Sequence, residues 1–169
     1  EPKYELVKSY PEFELRLYEP FLVAETDVDG DFDEAGNQAF RILAAYIFGE
    51  NKSQAKMEMT APVNQRPATE EGEKMAMTAP VTQRPKGSDG SETFVLSFVM
   101  PSNYSLESLP EPLDPRVRLR EEPAKLMAVR SYSGRWTETN YRENESLLLA
   151  AVEKAGLEPV APPVYARYN

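Results

Sequence analysis

The chain contains no cysteine and no histidine in its 169 residues. The first absence excludes disulfides, thiolate nucleophiles and cysteine-based metal sites. The second removes the usual general base, the commonest metal ligand and any Ser-His-Asp triad. Basic residues are in the minority as well. Lys and Arg number 19 against 28 Asp and Glu, giving a net charge of −9 and an isoelectric point near 4.7. Nucleic acid and anionic membrane surfaces call for clustered cations, so neither is an expected partner. No apolar run reaches the roughly eighteen residues of a spanning helix, so no membrane span is expected. Carboxylates are plentiful, yet none forms a recognisable acid–base pair, and no Gly-rich phosphate loop occurs. An enzyme is not expected.

What is present reads as globular. The composition is 41% hydrophobic and 10% aromatic, enough for one well-filled core, and we read residues 1–169 as a single domain. Fifteen prolines against eight glycines indicate many turns and rigid connections. A start at Glu1 rather than Met fits a processed chain and favours an exported or periplasmic location over a cytoplasmic one. A monomer is expected.

Alternation predicts strands at Tyr4–Val7, Phe13–Tyr18 and Phe21–Val28, with Pro11 and Pro20 at the breaks. A helix follows: Phe32, Ala35, Ala39, Phe40, Leu43 and Ile47 recur at three- and four-residue steps, an Asp precedes them, and Gly49 closes the run. Asp27, Asp29, Asp31 and Asp33 alternate ahead of this helix but lack the Gly and terminal Glu of an EF-hand loop, so capping is the expected role. Thr93–Met100 reads as a strand, and residues 101–115 as a Pro- and Ser-rich connection. The second half then replays the first. Arg118-Leu119, Glu122-Pro123 and Gly134-Arg-Trp136 echo Arg16-Leu17, Glu19-Pro20 and Gly30-Asp-Phe32, and a second helix runs from about Thr137 to Gly156. We therefore expect a strand–strand–helix unit used twice, over about residues 13–50 and 115–157. Neither unit can bury its apolar faces alone, which implies an α+β, pseudo-two-fold, mostly antiparallel sheet with two helices.

One phrase occurs twice. Lys56-Met-Glu-Met-Thr-Ala-Pro-Val63 returns as Lys74-Met-Ala-Met-Thr-Ala-Pro-Val81, and both copies run on into Gln-Arg-Pro. In an extended segment Met57 and Met59 face one way, as do Met75 and Met77, so four thioethers are expected to converge on one pocket. Packing against the helices is the plain alternative.

The doubled phrase after a helix ending in Gly, then Ser97-Phe-Val-Met-Pro101, Asp114–Arg120 and Ser133-Gly-Arg-Trp136, resembles the SOUL haem-binding family along essentially the whole chain. The doubling is similar to its bacterial branch. The resemblance implies a distorted antiparallel β-barrel of about eight strands flanked by two α-helices. It also implies non-covalent tetrapyrrole binding against the first helix, with haem as the cofactor. Where one branch places a histidine between Arg and Tyr, this chain has Arg16-Leu17-Tyr18, and Leu17 cannot ligate iron. Where another branch offers a helix arginine and two methionines, the matching positions are Asn37, Phe40 and Ala44.

The candidate ligand-binding residues are therefore Asn37, Phe40, Leu43, Ala44, Ile47, Met57, Met59, Met75 and Met77. Arg41, Lys56 and Lys74 are candidate partners for propionates, with ordinary solvated charge as the alternative. No metal site built from protein ligands is expected. The leading functional reading is binding of haem or another flat hydrophobic tetrapyrrole for transport, buffering or sensing. One alternative is a ligand-gated or protein-interaction module without haem. The other is a Cu(I)-binding protein on the clustered methionines, since thioethers select soft metals.

Overall fold

Proline and alternation divide the N-terminal region into three strands, β1 (Tyr4–Ser9), β2 (Glu14–Tyr18) and β3 (Phe21–Asp29). The computed structural model describes residues 2–52, 72–85, 93–135 and 137–168. Along β3, Ala24 and Val28 turn into the core beneath the first helix, while Val23 and Glu25 turn to the opposite face, as the two-residue period requires.

Helix α1 (Phe32–Ile47) starts where Asp31 accepts a hydrogen bond from the Glu34 backbone N–H at 2.9 Å, an N-cap. Its buried stripe contains the expected Ala35, Ala39, Leu43 and Ile47, together with Ile42 and Tyr46. The stripe lies on β3 and on β6 (Thr93–Val99), whose Leu96 and Phe98 complete the core. The Tyr46 hydroxyl donates to the Pro110 carbonyl at 2.8 Å, which fastens the Pro-rich connection over the end of α1. Burial pushes the Tyr46 phenol above its ordinary pKa. That connection adds Leu109 and Val117 to the core, and a two-residue pairing of β4 (Asn51–Lys52) with β7 (Glu111–Pro112) fixes its path.

The remaining elements are β5 (Val81–Pro85), β8 (Arg118–Glu122), β9 (Lys125–Val129), α2 (Glu138–Lys154) and β10 (Tyr165–Arg167). The order strand–strand–helix thus occurs as β2-β3-α1 and again as β8-β9-α2. Pairing exchanges the two sets: β2 lies antiparallel to β9, and β3 antiparallel to β8. Gly30 and Gly134, one before each helix, hold φ of 129° and 130°, a left-handed turn that an L side chain rarely adopts.

The fold is α+β, with two helices and antiparallel sheets. Among the described residues there are ten strands, eight of them longer than two residues. Among the described residues the ladders form, besides the β4-β7 pair, a five-stranded sheet, β10-β5-β6-β3-β8, and a three-stranded sheet, β1-β2-β9. The space between those sheets is a lumen roofed by α2. Phe32, Tyr141 and Tyr165 form a separate aromatic cluster that joins the start of α1 to α2 and β10, with ring centroids 4.9–5.5 Å apart.

Candidate functional site

The second copy of the repeated phrase runs beside α1 as an extended strap, from the end of the helix to the edge of β6. Asn51 clamps one end. Its amide donates to the carbonyls of Tyr46 and Glu73 at 2.7 and 2.8 Å, and its oxygen accepts from the Glu73 N–H at 2.8 Å. The Met75 N–H then bonds to the Ile47 carbonyl at 2.9 Å. At the other end the Thr78 hydroxyl donates to the Val99 carbonyl, a cis peptide joins Ala79 to Pro80, and β5 enters the sheet beside β6. The Tyr104 hydroxyl also reaches the Glu73 carboxylate at 2.5 Å, and this bond holds the phenol above its ordinary pKa, with burial adding to it.

Pinned at both ends, the strap leaves a groove between itself and the first half of α1. The groove has a volume of about 320 Å³ and is lined by Gly36, Phe40, Met77, Thr78, Ala79 and Val81, with Leu96 and Arg167. Gly36 lines the groove, and a Cβ there would come within 3.1 Å of the Gln83 side-chain oxygen, which is buried with no hydrogen-bond partner among the described residues. The Gln83 amide donates to the Phe32 carbonyl at 3.0 Å and draws β5 against the helix at that point. Phe40, one turn beyond Gly36, leans on Phe98 with centroids 5.3 Å apart but is still 41% exposed. Arg167 closes one edge, its Nε donating to the Tyr141 hydroxyl at 3.0 Å. Apolar walls, a soft thioether and a guanidinium at the rim suit a flat apolar ligand with an anionic edge.

Of the candidates from sequence, Phe40 and Met77 meet in this groove. Leu43 and Ile47 do not line it; they belong to the core, because they face β3 and β6 a helical step away from the Gly36–Phe40 line. Ala44 continues that line but lies buried past the groove. Asn37 and Arg41 are exposed on α1 outside the lining, and so is Lys74 on the strap. Met75 and Met77 do not converge. Met75 is 5% exposed in the core next to Ile47, whereas Met77 is 41% exposed at the groove, so only one of these two thioethers is presented to a ligand. Lys56, Met57 and Met59 lie outside the described residues. Among the described residues, then, Met75 and Met77 give no support to the convergence of thioethers or to the alternative Cu(I) site built on it, and no group of three or more metal-binding carboxylates occurs.

Gly36, Thr78, Ala79, Val81, Leu96 and Arg167 were missed by reasoning from sequence. Thr78 and Ala79 had a usable signal, since they belong to the repeated phrase. Arg167 had none, because only the pairing of β10 with β5 brings it to α1.

The chain matches the sequence profile described as SOUL heme-binding protein in two segments, residues 1–71 and 66–169, each carrying one copy of the Met-Thr-Ala-Pro-Val phrase. It is also similar to human "Heme-binding protein 2", with 28% identity over 141 residues, or 83% of this chain. The chain spans about 60% of that relative's length. The profile match runs along the whole length, and this protein belongs to the SOUL heme-binding protein family.

Proposed function

We propose that the protein binds haem, or a closely similar tetrapyrrole, non-covalently in the groove between α1 and the strap. The observation that carries this reading is the pairing of an exposed ring and an exposed thioether, Phe40 and Met77, in a groove that Gly36 also lines. The donor set fits the group. Phe40 and Leu96 offer surface to a macrocycle, Met77 offers a thioether, and Arg167 places a positive charge at the rim. If bound, haem would supply an iron centre with affinity for soft donors and an absorption band that reports its surroundings. The chain's own residues provide binding and orientation. Reversible, moderate affinity suits transport, buffering or sensing.

A groove of this size covers only part of a macrocycle. Burying about 300 Å² of it gains roughly 7 kcal/mol before the costs of association. The expected dissociation constant is therefore on the order of 10⁻⁵ M or weaker.

The test is a hemin titration followed at the Soret band, comparing wild type with Met77→Leu and Phe40→Ala. A saturable one-to-one isotherm is expected. Phe40→Ala should weaken it by about threefold to tenfold through lost contact area, and Met77→Leu should alter the band position more than the affinity. A linear response indistinguishable from that of an unrelated acidic protein rejects the proposal.

A further inference from the structure

A larger cavity lies on the opposite face of the five-stranded sheet. The lumen between the two sheets and α2 has a volume of about 700 Å³, within the range that takes a drug-sized molecule. Its charge is opposite to that of the chain. Six cations line it, Arg16, Arg84, Arg120, Lys125, Arg130 and Arg167, against two lining carboxylates, Glu122 and Glu145, in a protein whose net charge is −9. Low-dielectric walls around charges of one sign focus their field into the cavity.

Glu25 sets the arrangement. Its carboxylate, 5% exposed, sits behind the lumen wall. Arg120 Nε lies 3.0 Å from it, Arg118 3.5 Å and Arg84 3.8 Å, and Ser97 also reaches it at 3.5 Å. With three guanidiniums already around it, this carboxylate is not open to a cationic ligand. The guanidiniums are not all neutralised in return. The contact of Arg84 is to the shared Glu25 alone, and Arg130 bonds only neutral oxygens, Asn144 Oδ1 at 3.2 Å and the Glu12 carbonyl at 3.1 Å, among the described residues. Each retains donors suited to a carboxylate fork.

The rest of the wall is not built for a small inorganic ion. Val23, Val99, Met127 and Leu148 are apolar, and the rings of Tyr18 and Tyr141 stand among them. Apolar surface and aromatic rings favour a ligand with an aromatic body.

We propose that the lumen is a second binding site, distinct from the α1 groove, for a small aromatic carboxylate. Arg84 and Arg130 receive the anionic end, and the tyrosine-lined wall receives the ring. Glu25 is a positioning residue that fixes the guanidiniums without touching the ligand.

The test is calorimetric titration of the full chain with 2-naphthoate and with its neutral isostere 2-naphthamide. Naphthoate is expected to bind one-to-one and at least about tenfold more tightly than the amide, with affinity falling as salt is added. Arg84→Gln and Arg130→Gln should each weaken naphthoate by about threefold to tenfold and leave the amide unchanged. Equal binding of both probes, or no saturable heat with naphthoate, overturns the proposal on wild-type protein alone, whatever the folding of the variants. Phosphate displacing naphthoate at equal concentration rejects the aromatic part, and tighter binding of 1-naphthylmethylammonium rejects the anionic part. None of these outcomes depends on the hemin titration, so either site can fail without the other.

Discussion

Helices α1 and α2 hold the same place in two strand–strand–helix units, yet they cover different things. Helix α1 buries a full apolar stripe on β3 and β6, with Ala35, Ala39 and Leu43 fully enclosed. Helix α2 buries only Tyr141 and Val152, and its inner side, Tyr141, Asn144, Glu145 and Leu148, forms part of the lumen wall. Below α1 the space is filled by side chains, and binding is confined to the groove beside it. Below α2 the space stays open, and polar groups on both sides share it. A repeated topology therefore fixes where helices lie without fixing whether the volume beneath them becomes core or cavity. The alternating residues of the strands decide that: the α1 face of β3 carries Ala24 and Val28, and the opposite face carries Val23, which lines the lumen, and Glu25, which is buried behind its wall.

The sharpest way to break this comparison is to remove one leucine from each helix. Leu43→Ala opens a void in close-packed core and should cost about 3–4 kcal/mol, whereas Leu148→Ala only enlarges an existing cavity and should cost roughly 1 kcal/mol. Urea denaturation of the two variants measures the gap, and equal losses would mean that the lumen packs as tightly as the core.

A smaller effect is expected on the lumen side from Glu25→Gln. The amide keeps the size of the side chain but leaves Arg84, Arg118 and Arg120 without their shared buried charge. Loss of a buried ion-pair partner costs several kcal/mol in closed surroundings. These guanidiniums are one-third to one-half exposed and screened by water, so about 2 kcal/mol is the expected loss. A variant as stable as wild type would remove Glu25 from its positioning role.

The smallest effect is the acid limb of stability. Burial works against ionisation of Glu122, but Lys125 at 2.5 Å and Arg120 at 2.6 Å outweigh it and hold the carboxyl below its ordinary value of 4.5. The unfolded chain takes up that proton first on acidification. The contribution of Glu122 is therefore complete above about pH 4.5 and is lost as pH falls through the lowered folded value. Denaturation midpoints measured across this window should fall less steeply in Lys125→Gln than in wild type. Parallel slopes would show that Glu122 is not among the groups responsible.

Much of the scaffold was legible as pattern. The three- and four-residue steps from Phe32 to Ile47 mark α1, and alternation from Phe21 to Val28 and the apolar run from Thr93 to Met100 mark its two supporting strands. These signals are local, since periodicity follows from which side of one element is buried. Val81–Pro85 carried no such signal, because Pro80 and Pro85 interrupt it, and it becomes β5 only through pairing with β6. The candidate site was legible only in part. Phe40 and Met77 were expected, but Met75 is chemically the same residue in the same phrase, and nothing local separates the methionine in the core from the one at the groove.

By itself, then, the sequence determined the two helices, their strongly patterned strands, the doubled order and the absence of cysteine and histidine chemistry, because composition and period are properties of neighbouring residues. Only the tertiary structure decided that Gly36, Met77 and Arg167 share a groove and that six cations of an acidic chain surround one lumen. Those juxtapositions come from strand pairing between distant segments, as in β10 with β5 and β3 with β8, and register between remote strands is set by burial of the whole rather than by any one segment.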